Sequence, residues 1–203
     1  MNTKFLLDFV DWYEKSNGCK LSIVATGGGM SLGQITSVPG SSSIFHSFYV
    51  PYATAETVEF IRKNYPIVKA ESFEEKAVCS ESAKNLFYAL WTKNKVDGHL
   101  HIHNIAVTAA ITSTRWRRGD NKAFIFFENL TAFRDECWYL KLPKLTEAEH
   151  NSKTREELMA VRNSEENLLA EVTLCLATQY ESDTVKKLVE NGTLTSIPTT
   201  VNG

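Results

Sequence analysis

The sequence has little that would tie it to nucleic acid, to a membrane or to an oxidising compartment. Its 22 basic and 24 acidic residues leave a formal net charge of −2, so no global field draws in a polyanion. A run of about 18 apolar residues, the length a spanning helix needs, is absent. Met1 to Tyr13 carries acids inside its apolar stretch and reads as an amphipathic helix rather than a secretory leader. The four cysteines (Cys19, Cys79, Cys137, Cys175) form no CxxC pair. Reduced, mostly buried thiols in a cytoplasmic protein are the expectation. There is neither a P-loop nor a GxGxxG fingerprint, no internal repeat and no linker. A chain of 203 residues fits one domain, expected over 1–182 with a patternless, mobile extension over 183–203.

What is present is periodicity. Phe5, Phe9 and Trp12 recur at helical spacing, which predicts a helix from Thr3 to Lys15. Leu21 to Ala25 fits a buried strand, and Gly27 to Gly29 follow it directly, before a helix through Met30, Leu32 and Ile35. Ser41 to Ser43 read as a loop and Phe45 to Tyr52 as a strand. Thr54 and Ser80 read as N-caps of two helices. Ile102 to Thr108 fits a central strand, and residues 123–127 and 131–142 fit a hairpin. A long helix starts at Thr146 or Thr154 and reaches Gln179. Early alternation of strands and helices, followed by a hairpin, predicts an α/β fold: a three-layer α/β/α sandwich with a mixed sheet.

Five clusters can carry chemistry. The turn Thr26-Gly27-Gly28-Gly29 joins a buried strand to a helix, where free N–H groups favour an anion; it is either a phosphate cradle or a tight turn. Ser41, Ser42 and Ser43 follow Pro39-Gly40, with Tyr52 downstream. A hydroxyl there needs an activating base, and without one the segment is a solvated loop. The loop carrying Thr114, Arg115, Trp116, Arg117 and Arg118 follows the strand ending at Thr108. Arginines there suit a phosphate and Trp116 suits a ring; alternatively it is a basic surface loop. His99, His101 and His103 alternate, with Asp97 as the one near carboxylate, which is a weak pattern for a metal, and none is expected. Arg155 and Arg162 sit among Glu156, Glu157, Glu165 and Glu166, a pattern that suits a solvated helix face or a second phosphate contact.

Taken in order, these segments resemble the CinA C-terminal family of nicotinamide-nucleotide amidases. Leu21 to Gly29 resembles its strand and TGG turn, and Ile35 to Ser42 its LTxVPGSS element. Val50-Pro51-Tyr52 lies at its VxYSNxxK position, Ala77 to Ala83 resembles its GAVSEEVA helix start, and Ala106 to Thr108 its AVTG strand. The TGGG turn, the Ser113 to Asp120 loop and Thr154 to Glu157 look closer to a divergent branch found beside nucleotidyltransferase domains. The resemblance implies an α/β/α sandwich, usually a homo-oligomer, without a cofactor. In active members it implies hydrolysis of the nicotinamide amide of nicotinamide mononucleotide by a serine, a tyrosine and a lysine. The serine position falls on Ser42 and the tyrosine on Tyr52, but the lysine position holds Thr57. Substrate contacts are expected from Thr26, Gly27, Gly28, Gly29, Ser41, Thr108, Thr114 and Arg115, with a small-molecule nucleotide as partner and neither nucleic acid nor membrane. Threonine carries no charge and does not titrate near neutrality. The loss of such a group removes about two to four decades of rate in acid–base catalysis. An amidase with another activator, a catalytically silent nucleotide-binding domain, and a scaffold or enzyme of another kind all remain open.

Overall fold

The computed structural model describes residues 1–16, 18–67, 77–99 and 101–199. The elements run α1 (Thr3–Ser16), β1 (Lys20–Thr26), a 3₁₀ segment (Met30–Ser37), α2 (Ser41–Ile44), β2 (Phe45–Tyr49), α3 (Thr54–Asn64) and α4 (Ser80–Val96). They continue with β3 (Ile102–Ala110), β4 (Lys122–Asn129), β5 (Arg134–Lys141), α5 (Glu147–Asn151), α6 (Arg155–Thr178), α7 (Asp183–Glu190) and β6 (Leu194–Ile197). The sheet order is β2-β1-β3-β4-β5-β6. β2, β1 and β3 are parallel, and β4, β5 and β6 follow antiparallel.

Burial on both faces explains the apolar runs. Leu21 to Thr26 are all buried, as expected for a parallel strand covered on either side. Odd-numbered positions (Ile23, Ala25, Ile105, Val107, Ile125) pack under Phe9 and Tyr13 of α1 and Leu169 and Val172 of α6. Even-numbered positions (Val24, Ala106, Phe126) pack under Val58 and Ile61 of α3 and Leu86 and Leu90 of α4. The three-layer sandwich expected from the sequence is present.

Several local expectations change. Ser41 to Ser43 form a helical turn, because Ser41 and Ser43 donate their hydroxyls to the carbonyls of Thr36 and Gly40. β2 stops at Tyr49, two residues before Pro51, which has no N–H to donate to a ladder. Ala53 precedes α3 and Thr54 is its first residue; Cys79, not Ser80, caps α4, its Sγ accepting from Ser82 N. Both candidate starts of the long helix are real, since Thr146 opens α5 and Thr154 opens α6, each with a capping box. The irregular stretch expected over 66–79 lies largely outside the described residues.

The extension is corrected as well. Val185 and Leu188 of α7 pack on the core, and Leu194 of β6 pairs with Leu140 of β5. Four residues with two inward positions are too short to give a legible strand period.

The histidines do not share a face. The His99 ring lies 4.3 Å from that of His46, His101 is exposed, and His103 is buried with Nε2 3.0 Å from Glu128 O. Asp97 is paired to Lys93 at 2.6 Å. Among the described residues no three His, Cys, Asp or Glu side chains converge to hold a metal. Burial pushes the His103 imidazole down from 6.5 to about 4. The unfolded chain therefore binds the proton first as pH falls, so stability is complete above pH 6.5 and declines as pH drops through 4. We expect urea unfolding to show about 3 kcal/mol less stability from this group at low pH. His103→Gln flattens that part of the pH profile; an unchanged profile in the variant would exclude His103 as its source.

Candidate functional site

The sheet's strand order reverses beside β1: β2 lies on one side and β3 on the other. In such sheets ligands sit in the crevice beyond the carboxyl ends of the strands. That place is framed here by the turn after β1, the end of β2, and the loop after β3.

The first wall is a set of buried hydroxyls. Thr26 and Thr108 are side by side in register. Thr26 Oγ1 donates to Pro51 O at 3.0 Å and lies 3.3 Å from Thr57 Oγ1. Thr57 is fully buried, with its hydroxyl 2.7 Å from Pro51 O and 3.1 Å from Ala53 O. The residue at the lysine position is therefore a structural threonine that ties the end of β2 to the first turn of α3. Thr108 is also fully buried, and its hydroxyl has no hydrogen-bond partner among the described residues.

The second wall is the outward edge. Tyr52 is 60% exposed, and its hydroxyl lies 3.5 Å from Arg162 Nη2. Arg162 also donates to Thr112 O at 2.9 Å and lies 3.6 Å from Glu166. A phenol beside a guanidinium can receive an aromatic ring and an anionic or carbonyl oxygen.

The glycine turn is packed rather than open. A Cβ at Gly27 would stand 2.0 Å from Ala109 O, and its φ is +75°. A Cβ at Gly28 would meet the side chains of Ala109 and Ile111 at 3.0–3.3 Å. The N–H groups of Gly29 and Met30 both donate to Glu166 Oε2 at 2.7 Å. An internal carboxylate thus stands where a phosphate would lie if the turn were the cradle rather than the tight turn. On the loop after β3, Glu165 accepts from Thr112 N (2.6 Å), Thr112 Oγ1 (2.9 Å) and Asn121 Nδ2 (2.7 Å).

Of the loop residues, Thr114 and Arg115 are exposed. Arg117 is engaged with Ile111 O at 2.6 Å. Trp116 donates to Leu145 O, and Lys144 covers its ring at 4.9 Å. The space beside Thr112, Arg115, Trp116 and Asn121 is about 20 Å³, enough for a water and not for a base. A larger open cleft of about 840 Å³ lies outside the end of β2, between Val50, Phe60, Lys63, Lys93 and Val96.

The expected catalytic pair is divided. Ser42 O accepts from Lys20 Nζ at the start of β1, whereas Tyr52 follows Pro51, whose carbonyl meets Thr26 at the end of β1. Six residue steps of about 3.3 Å separate those ends, roughly 20 Å. Thr26, Gly27, Gly28, Gly29, Tyr52 and Thr108 lie at one end of the sheet. Ser41 and Ser42 lie at the other, with Ser41 buried and Ser42 exposed. Residues not singled out from sequence are Glu165, Glu166 and Asn121. The glutamates, 3% and 5% exposed, were expected on a solvated face. Their spacing to Leu169 and Ala170, three to five residues on, is the signal that puts them on the buried stripe.

No family model matches the sequence, and no curated protein does. Solved structures do. A CinA superfamily protein of Klebsiella pneumoniae superposes with a TM-score of 0.57 over 89% of this chain and 100% of that one, at 13% identity. One from Enterobacter cloacae gives 0.55 over 90% of each chain at 10% identity. A competence/damage-inducible protein of Agrobacterium tumefaciens gives 0.53 over 82% of this chain and 95% of its own, at 15% identity. The fold is therefore CinA-like.

Proposed function

We propose that this CinA-like domain is a catalytically silent binding module for a pyridine nucleotide or a related nucleoside, held at the carboxyl ends of β1, β2 and β3. The observation that carries this reading is the separation of Ser42 from Tyr52 along the whole length of β1. A nucleophile and its proton acceptor have to come within hydrogen-bonding reach, and about 20 Å forbids that within one chain. Thr57, at the lysine position, is buried and occupied by backbone carbonyls. Binding groups are retained: the exposed Tyr52 ring and the Arg162 guanidinium beside it, with Arg115 exposed on the neighbouring loop.

The test measures ammonia release and thermal shift together, with nicotinamide mononucleotide, nicotinamide riboside and related amides. The expected result is no ammonia above the protein-free rate, identical for wild type and Ser42→Ala. At least one ligand raises the unfolding temperature by mass action, and that rise falls at least about tenfold in apparent affinity in Arg162→Ala, the scale of a lost charge-assisted contact. Ammonia release that disappears in Ser42→Ala would overturn the silent reading. The hydrolase reading keeps one contact in its favour, the 3.5 Å approach of Arg162 to the Tyr52 hydroxyl, where a cation replaces the absent lysine.

A further inference from the structure

The carboxylate of Glu166 fills the anion position of the glycine turn. Gly29 N and Met30 N open the 3₁₀ segment and have no partner within it, as at any helix start. Both donate to the same oxygen, Oε2, at 2.7 Å. The side chain is 6% exposed. Its other oxygen, Oε1, accepts no hydrogen bond from the described residues and stands 3.6 Å from Arg162. The turn therefore holds a strongly bound anion, and that anion belongs to the chain.

We propose that Glu166 is a specificity-determining residue. It bars phosphate from the Gly27–Met30 turn and restricts the site to ligands that present an uncharged group there, the nucleoside rather than the nucleotide. The physics has two parts. A phosphate oxygen aimed at the same two N–H groups would have to displace Oε2 and then lie beside the carboxylate, where like charges repel in a site of low polarity. The displaced glutamate would remain buried with Arg162 beside it but without the two N–H donors, an arrangement that penalises the exchange. Discrimination then comes from a repulsive element as well as from attraction. The nucleoside preference rests on the binding reading above; the exclusion of phosphate does not.

Isotope-labelled wild type and Glu166→Ala are titrated with inorganic phosphate, at ionic strength matched with chloride, while the Gly29 and Met30 amide signals are followed. The wild-type signals stay in place. In Glu166→Ala they move and saturate, with phosphate affinity at least about tenfold above wild type, as two charge-assisted donors become free. Glu166→Gln, which keeps one acceptor for the turn, gives an intermediate response and serves if the alanine variant does not fold. Equal movement in wild type, or none in either folded variant, overturns the proposal. In a second arm, nicotinamide riboside shifts the wild-type unfolding temperature more than its 5′-phosphate does, and the order reverses in Glu166→Ala. If the first arm holds and both compounds leave every variant unshifted, the binding reading and the nucleoside preference fall together, while the exclusion of phosphate stands.

Discussion

Gly27→Ala is expected to unfold roughly 10 °C below the wild type, from a loss of about 4 kcal/mol in a domain of this size. Two effects add. The position has φ +75°, where an L side chain is strained, and the new Cβ would lie 2.0 Å from the backbone oxygen of Ala109. That oxygen belongs to the central strand, so it has no flexible side chain with which to give way. Gly98→Ala separates the two effects. Its φ is +84° and nothing lies within 4 Å of its Cβ, so only the backbone term remains, about 1 kcal/mol. Thermal melts of the two variants without ligand decide the matter. A Gly27 loss no greater than that at Gly98 would mean that packing against β3 is not what requires glycine there.

Glu165→Ala is the second large effect. The side chain is 3% exposed and receives three hydrogen bonds from Thr112 and Asn121, residues that are themselves buried. Truncation leaves those donors facing a cavity, a loss of about 3–5 kcal/mol. Glu165→Gln keeps one carbonyl oxygen for Asn121 or Thr112 and loses about half as much. Glu156→Ala, on the exposed first turn of the same helix, changes stability by no more than about 0.5 kcal/mol. Urea unfolding of the three variants gives the order. If Glu165→Ala matched Glu156→Ala, the carboxylate would not be what holds the loop after β3.

The legible parts of the fold were those with strong periods. The run from Leu21 to Ala25 announced a strand covered on both faces, and Phe5, Phe9 and Trp12 announced α1. The clustered threonines at 146 and 154, each with a glutamate three residues on, offered two helix starts, and the chain uses both. The site was harder to read, because its geometry depends on which end of a strand a residue occupies. Ser42 and Tyr52 are ten positions apart and look like neighbours in a motif, yet an extended strand lies between them. Glu165 and Glu166 looked like a charged surface because charge is the stronger cue in a single sequence. The loops they meet, more than forty residues upstream, supply the hydrogen bonds that satisfy them on the buried stripe.

The two glutamates are consecutive on α6 and point to different loops, about 100° apart around the helix axis. Thr112, Gly29 and Met30 therefore lend their amide hydrogens to one turn of one helix. Neither loop can swing open while that turn stays seated, and a small rotation of α6 would release both. The turn after β1 and the loop after β3 belong to a single cooperative unit. Their amides should exchange with solvent at a shared rate, set by the docking of α6 rather than by either loop.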